Sequence, residues 1–311
     1  MAAAARASPG RRVGAVPRAS RCRAPAPAGT RLRPRPSAAA AAGSVSEAFA
    51  ASRAEGRAAF VPFIVAGDPD LGTTEAALRA LDDAGAAVIE LGVPYTDPLA
   101  DGPTIQAAAA RALDGGATLD DCLELVGRVA PSLSAPVVLF TYYNPILKQG
   151  VEAFAGRVAA AGAKGLLVPD IPLEETGDVR AACEAVGVEL VLLCTPATPR
   201  ERMARIAESS QGFVYLVSVN GVTGVKEAED AKLSELVAEL KGVTDKPVAV
   251  GFGVSRPEQA ASIASMGADG VIVGSALVKA LGTAETPQAG LAALAALAGE
   301  LRGAIPASAK P

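Results

Sequence analysis

From Ser44 onward the chain alternates short, almost continuously apolar runs with longer stretches whose apolar residues recur every three or four positions. The runs are Phe60–Val65, Ala87–Leu91, Pro136–Thr141, Gly165–Val168, Glu189–Cys194, Phe213–Val217, Pro247–Val250 and Gly270–Val273. A strand with one wet face alternates apolar with polar. One covered on both faces reads as an unbroken apolar run, so these eight predict a parallel sheet flanked by helices. Intervening segments such as Thr73–Ala84 and Leu233–Leu240 carry the helical spacing.

The joint from helix to strand recurs four times, as Asp83-Ala84-Gly85-Ala86-Ala87-Val88-Ile89, Ala160-Ala161-Gly162-Ala163-Lys164-Gly165-Leu166, Ala185-Val186-Gly187-Val188-Glu189-Leu190-Val191 and Ser265-Met266-Gly267-Ala268-Asp269-Gly270-Val271. Each sets a glycine just past a helix, where the chain turns left-handed, and restarts a strand within a few residues. Eight such units predict a closed (β/α)8 TIM barrel of the α/β class. An open doubly wound sheet is the alternative, weakened because no GxGxxG opens a helix after the first strand. Val45–Arg57 is predicted as an extra N-terminal helix across the barrel bottom and Pro287–Arg302 as the closing helix. The barrel domain is expected over 44–305, followed by a flexible tail at 306–311.

Charge divides the chain differently. Residues 1–43 hold nine Arg and no acid, whereas the whole has 29 basic and 33 acidic residues, so the remainder carries about −13. An acidic body argues against nucleic acid as partner. The Arg-, Ala-, Ser- and Pro-rich head reads as a disordered organellar transit peptide, of plastid type because it is punctuated by proline. A basic nucleic-acid-binding arm is the alternative for that segment. The expected location is the chloroplast stroma. No run has the length and apolarity of a membrane span. The four cysteines, Cys22, Cys122, Cys183 and Cys194, lack CxxC spacing and read as buried thiols in a reduced compartment.

The chain has no histidine. That excludes Ser-His-Asp and Cys-His machinery and His-ligated metal, so carboxylates, lysines or tyrosines must move protons. In such barrels the chemistry sits at the C-terminal ends of the strands. The second strand ends Val88-Ile89-Glu90-Leu91-Gly92, and a carboxylate within a buried strand is costly unless paired or neutralised. Ile89 and Leu91 share one face, leaving Glu90 to the other, at the barrel mouth, either for chemistry or as a structural carboxylate bonded to an Arg or a backbone amide. The next loop, Val93-Pro94-Tyr95-Thr96-Asp97-Pro98-Leu99-Ala100-Asp101-Gly102-Pro103, is held by three prolines and brings Asp101 near the same mouth. Asp101 is either the cap of a helix opened by Pro103 or the second of two carboxylates placed for acid–base work. Across the barrel, Val219-Asn220-Gly221-Val222-Thr223-Gly224, Gly251-Phe252-Gly253-Val254-Ser255 and Val273-Gly274-Ser275-Ala276 end three successive strands with glycines that let backbone amides approach a phosphate.

These residues carry a resemblance. Phe60-Val61-Pro62-Phe63, Gly67-Asp68-Pro69, the whole of Glu90–Gln106, Val168-Pro169-Asp170-Ile171-Pro172, Gly221-Val222-Thr223-Gly224 and Gly251-Phe252-Gly253-Val254-Ser255 closely resemble the α-subunit family of tryptophan synthase. The resemblance implies retro-aldol cleavage of indole-3-glycerol phosphate to indole and glyceraldehyde 3-phosphate. Glu90 matches the acid–base at indole C3 and Asp101 the partner of the indole N–H. Phe63, Tyr142, Tyr215, Thr223 and Phe252 match substrate-slot positions, and Gly224, Gly253, Gly274 and Ser275 the phosphate cradle. Thr223 is expected to bond Asp101 as the loops close. Pro94, Asp97 and Asn144 match the docking face for a β subunit that carries pyridoxal phosphate, implying an α2β2 heterotetramer with neither cofactor nor metal in this chain. Val219-Asn220 stand where many bacterial members carry a basic residue. A stand-alone lyase releasing free indole is the alternative, and a non-catalytic activating subunit is opposed by the presence of both carboxylates.

Overall fold

A computed structural model describes residues 42–218, 226–251 and 253–306. The predicted leader up to residue 41, Val219-Asn220, Thr223, Gly224, Phe252 and the last five residues lie outside these. Eight parallel strands close into a barrel in chain order. They are β1 (Ala59–Val65), β2 (Ile89–Gly92), β3 (Val137–Phe140), β4 (Gly165–Leu167), β5 (Glu189–Cys194), β6 (Val214–Val217), β7 (Val248–Gly251) and β8 (Gly270–Val273). The open-sheet alternative is thereby excluded: β1 pairs with β8 as well as with β2.

The continuous apolarity has the expected cause. In β1 all seven residues are buried, alternate ones facing opposite ways. Phe60, Ile64, Ile89, Leu91, Val137, Leu139, Val271 and Val273 join the core between strands and helices. Val61, Val138, Leu167, Val191, Tyr215, Ala249 and Ile272 fill the barrel. The four repeated joints turn on Gly85, Gly162, Gly187 and Gly267, with φ of 89°, 86°, 72° and 91°, a region costly for any residue with a Cβ.

Helix Val45–Ala54 starts from a capping box made by Ser44 and Glu47. It inserts Val45 and Phe49 into the barrel bottom, where the Phe49 and Phe213 rings lie 4.9 Å apart. The closing helix runs Pro287–Ala304. Cys122, Cys183 and Cys194 are buried and unbridged, their thiols pushed up to about 12, mainly by burial. Among the described residues, no helix is long and apolar enough to cross a membrane.

Candidate active site

Glu90 sits at the centre of β2, paired in register with Phe63 of β1 and Val138 of β3. Being one residue out of phase with Ile89 and Leu91, it points into the barrel, where it is 1% exposed. Its Oε1 has no hydrogen-bond partner, and burial alone raises its pKa to about 8. Buried polar atoms are nearly always satisfied, so an orphaned carboxyl oxygen calls for a reason. A buried carboxyl whose protonated form is favoured and whose Oε1 is unpartnered is a candidate for proton transfer.

The strand ends around Glu90 are cut to make room. A Cβ at Gly92 would lie 2.6 Å from Phe63 Cζ, and one on Gly251 would overlap the Tyr215 hydroxyl. These glycines look like turn residues in the sequence but serve as clearances for the two rings. Phe63 packs edge-on against Phe140 at 5.3 Å and faces Gly274 on its other side. Tyr215 is 5% exposed. Its hydroxyl is held protonated first by burial and then by the neighbouring charges of Glu90 and Asp101.

Asp101 is not a helix cap. The helix it precedes, Pro103–Asp114, has Gly102 at its N-cap and no side-chain capping bond. Asp101 Oδ2 instead accepts a hydrogen bond from the Tyr142 hydroxyl at 2.9 Å, and the same hydroxyl accepts the Ala100 N–H at 3.1 Å. Desolvation raises Asp101 to about 6, and the Tyr142 bond works in the opposite direction. Tyr142 therefore does more than line a slot: it clamps the loop and holds down the carboxylate's pKa. Its ring stacks on Tyr95 at 5.0 Å, and Tyr95 Oη accepts from Asn144 Nδ2 at 3.2 Å. We expect Tyr142→Phe to move the acidic limb of the pH–rate profile upward, because losing the donor destabilises the Asp101 anion. A limb that does not move would show the bond to be energetically idle.

Two carboxylates with separated pKa values are thus brought to one mouth, Glu90 near 8 and Asp101 near 6. Of the proposed phosphate ligands, Gly253 is exposed with φ 76°. Gly274 is the N-cap of helix Ser275–Gly282, which has no side-chain cap, so its first N–H groups are left to an incoming acceptor. Of the docking residues, Asp97 and Asn144 are exposed, but Pro94 is buried. This corrects its placement on the surface: Pro94 stands two residues past the end of β2 and is covered there. Leu99 (92% exposed) and Leu147 (53%), apolar and uncovered, share the segments that carry Asp97 and Asn144.

A basin of about 1950 Å³ opens at the other end of the barrel, lined by Phe49, Arg53, Glu189 and Asp269 among others. Two of its four acids are occupied structurally: Glu189 accepts from Ser46, and Asp269 pairs with Arg53 and Lys241.

Comparison with known proteins is decisive. The profile for "Tryptophan synthase alpha chain" matches residues 49–306. The chain belongs to the tryptophan synthase alpha chain family. Within that family it is 57% identical over 262 residues to the alpha chain of Picosynechococcus sp., spanning 84% of this chain and 99% of the relative. It is 52% identical over 261 residues to that of Arabidopsis thaliana, spanning 84% and 95%. A solved tryptophan synthase from Mycobacterium tuberculosis superposes with TM-score 0.76 at 43% identity, covering 85% of this chain and 98% of the other. The alpha subunit from Legionella pneumophila gives 0.77 at 34% identity, covering 84% and 97%.

Proposed function

We propose that the chain cleaves indole-3-glycerol phosphate by a retro-aldol reaction, with Glu90 as acid and then base and Asp101 as the partner of the indole nitrogen. The observation that carries this reading is the buried Glu90 carboxyl with an unpartnered Oε1 in β2, followed in the next loop by Asp101, the two raised by burial to about 8 and about 6. At neutral pH, Glu90 holds a proton and Asp101 has mostly lost one. Glu90 delivers its proton to indole C3 while Asp101 draws on the N–H, converting the ring to its C3-protonated tautomer. The Glu90 carboxylate then takes the proton of the hydroxyl on the carbon attached to C3. That carbon–carbon bond breaks, its electron pair returns to the ring and restores indole, and the carbonyl of glyceraldehyde 3-phosphate forms. Asp101 gives the nitrogen proton back, and Glu90 is again protonated.

Phe63 and Tyr215 border the indole slot, with Phe252 and Thr223 completing it in this reading. Gly224, Gly253, Gly274 and Ser275 cradle the phosphate. A β subunit docks against Asp97 and Asn144 in an α2β2 assembly, with Leu99 and Leu147 supplying apolar contact, and receives indole without its loss to solvent. Pyridoxal phosphate belongs to that partner. Residues 1–43 act as a plastid transit peptide, a reading supported by their acid-free composition and by relatives from cyanobacteria and a plant.

The test is indole release from indole-3-glycerol phosphate by the full chain, with and without a tryptophan synthase β chain. Slow cleavage that the β chain strongly accelerates is the expected outcome. Fast cleavage indifferent to the β chain would assign a free-standing indole producer instead, and no cleavage in either arm would overturn the lyase reading.

A further inference from the structure

We propose that Asp68, Arg111 and Gly282 form a strut that positions the Asp101 loop from behind, so that Arg111 is a positioning residue for cleavage though it lies two turns from the carboxylate. This rests on the reading of Asp101 given above.

Three elements meet beneath the mouth. They are the segment after β1, the helix Pro103–Asp114 that continues directly from Asp101, and the helix Ser275–Gly282 whose first turn faces the proposed phosphate site. Small residues, Ala108, Ala112 and Ala117, pack there with Phe63, Val65 and Val278. Alanines allow close approach but have no shape that fixes how one helix slides on another. The polar contact behind them supplies that register. Asp68 is 1% exposed and takes a two-pronged hydrogen bond from Arg111, Nε to Oδ1 and Nη2 to Oδ2, each 2.8 Å. Such a fork fixes direction as well as distance.

Gly282 completes the device. It is the last residue of its helix, where alanine would ordinarily suit better. A Cβ there would overlap Asp68 Oδ2 and crowd Arg111 Nη2, so only glycine lets this helix end lie directly on the ion pair. The same helix that holds Arg111 is tied to the catalytic loop at its other end, where Gln106 Nε2 donates to the Asp101 carbonyl at 2.9 Å. Displacing the fork therefore shifts the helix that carries Gln106 and loosens the Tyr142 clamp on Asp101.

The test compares the full chain with Arg111→Lys, Arg111→Met and Gly282→Ala, by hydrogen exchange over residues 97–108 and by kcat, KM and pH profile for indole-3-glycerol phosphate cleavage. In Arg111→Met, loop exchange is expected to rise about tenfold while β5–β7 stay protected. Its kcat should fall about tenfold or more, with KM within about threefold, and its acidic limb should move upward as Tyr142 loses hold of Asp101. Arg111→Lys should recover part of each change. Gly282→Ala should reproduce the signature with both charged groups still present, and so separates misplacement from a lost charge. Folded variants with wild-type loop exchange and an unmoved acidic limb would overturn the strut, even if the wild-type chain cleaves normally. Looser loops in the variants of a chain whose wild type does not cleave would instead uphold the strut and overturn the reading of Asp101.

Discussion

Glu90→Gln is expected to lower cleavage by about 10³-fold or more, since general acid–base catalysis by a placed group contributes about 10²–10⁴ and Glu90 acts in both proton transfers. Substrate affinity should change little, because Gln fills the same space among Phe63, Val138 and Tyr215. The same substitution has a second signature. In the unfolded chain Glu90 titrates near its ordinary 4.5, but in the folded barrel near 8. Below the lower value both states bind the proton and Glu90 contributes nothing adverse. Above it the unfolded chain releases the proton first, so stability falls as pH rises and the loss is complete once pH passes the folded value. By pH 7 the loss is about 3 kcal/mol as an upper bound, at about 1.4 kcal/mol per pH unit. Gln cannot ionise, so the melting temperature of Glu90→Gln relative to wild type should climb between pH 5 and pH 9, by roughly 5–10 °C. Near-normal turnover, or a constant difference in melting temperature, would remove Glu90 from its assigned role.

Asp101→Asn is expected to reduce kcat by about 10²-fold or more, with KM nearly unchanged, because an oriented charge at the indole nitrogen is strengthened in a site closed to water. Asn retains an oxygen for the Tyr142 hydroxyl, so the loop should keep its place and its exchange protection. The residual activity should lose the acidic limb that Asp101 supplies. Wild-type rates in Asp101→Asn would leave the Tyr142 contact as a purely structural latch.

The barrel was legible for one reason: strands covered on both faces leave runs that a single sequence displays, and the observed strands begin and end within two residues of the predicted ones. The interior position of Glu90 followed from the same alternation. The fate of Asp101 did not. That it caps no helix and instead accepts from Tyr142, 41 residues on, is not legible, because pattern alone does not reveal contacts between loops of different strands. The pairing of Asp68 with Arg111, 43 residues apart, was hidden in the same way, although Asp68 stood within a recognised motif. Gly92 and Gly251 were visible as glycines but not as clearances, since that meaning depends on the rings of Phe63 and Tyr215 opposite them. Pro94 matches a docking face by resemblance, whereas here it lies buried just past the end of β2.

The central claim is that one carboxylate is protonated and the other ionised at neutral pH. The most direct test is the pH dependence of kcat/KM for indole-3-glycerol phosphate cleavage, which reports the free enzyme. The substrate phosphate itself titrates near pH 6 and shares the acidic limb with Asp101, so the alkaline limb decides. The rate is expected to fall tenfold per pH unit above about 8, as Glu90 loses its proton. A rate that stays level or rises through pH 9.5 would contradict the claim.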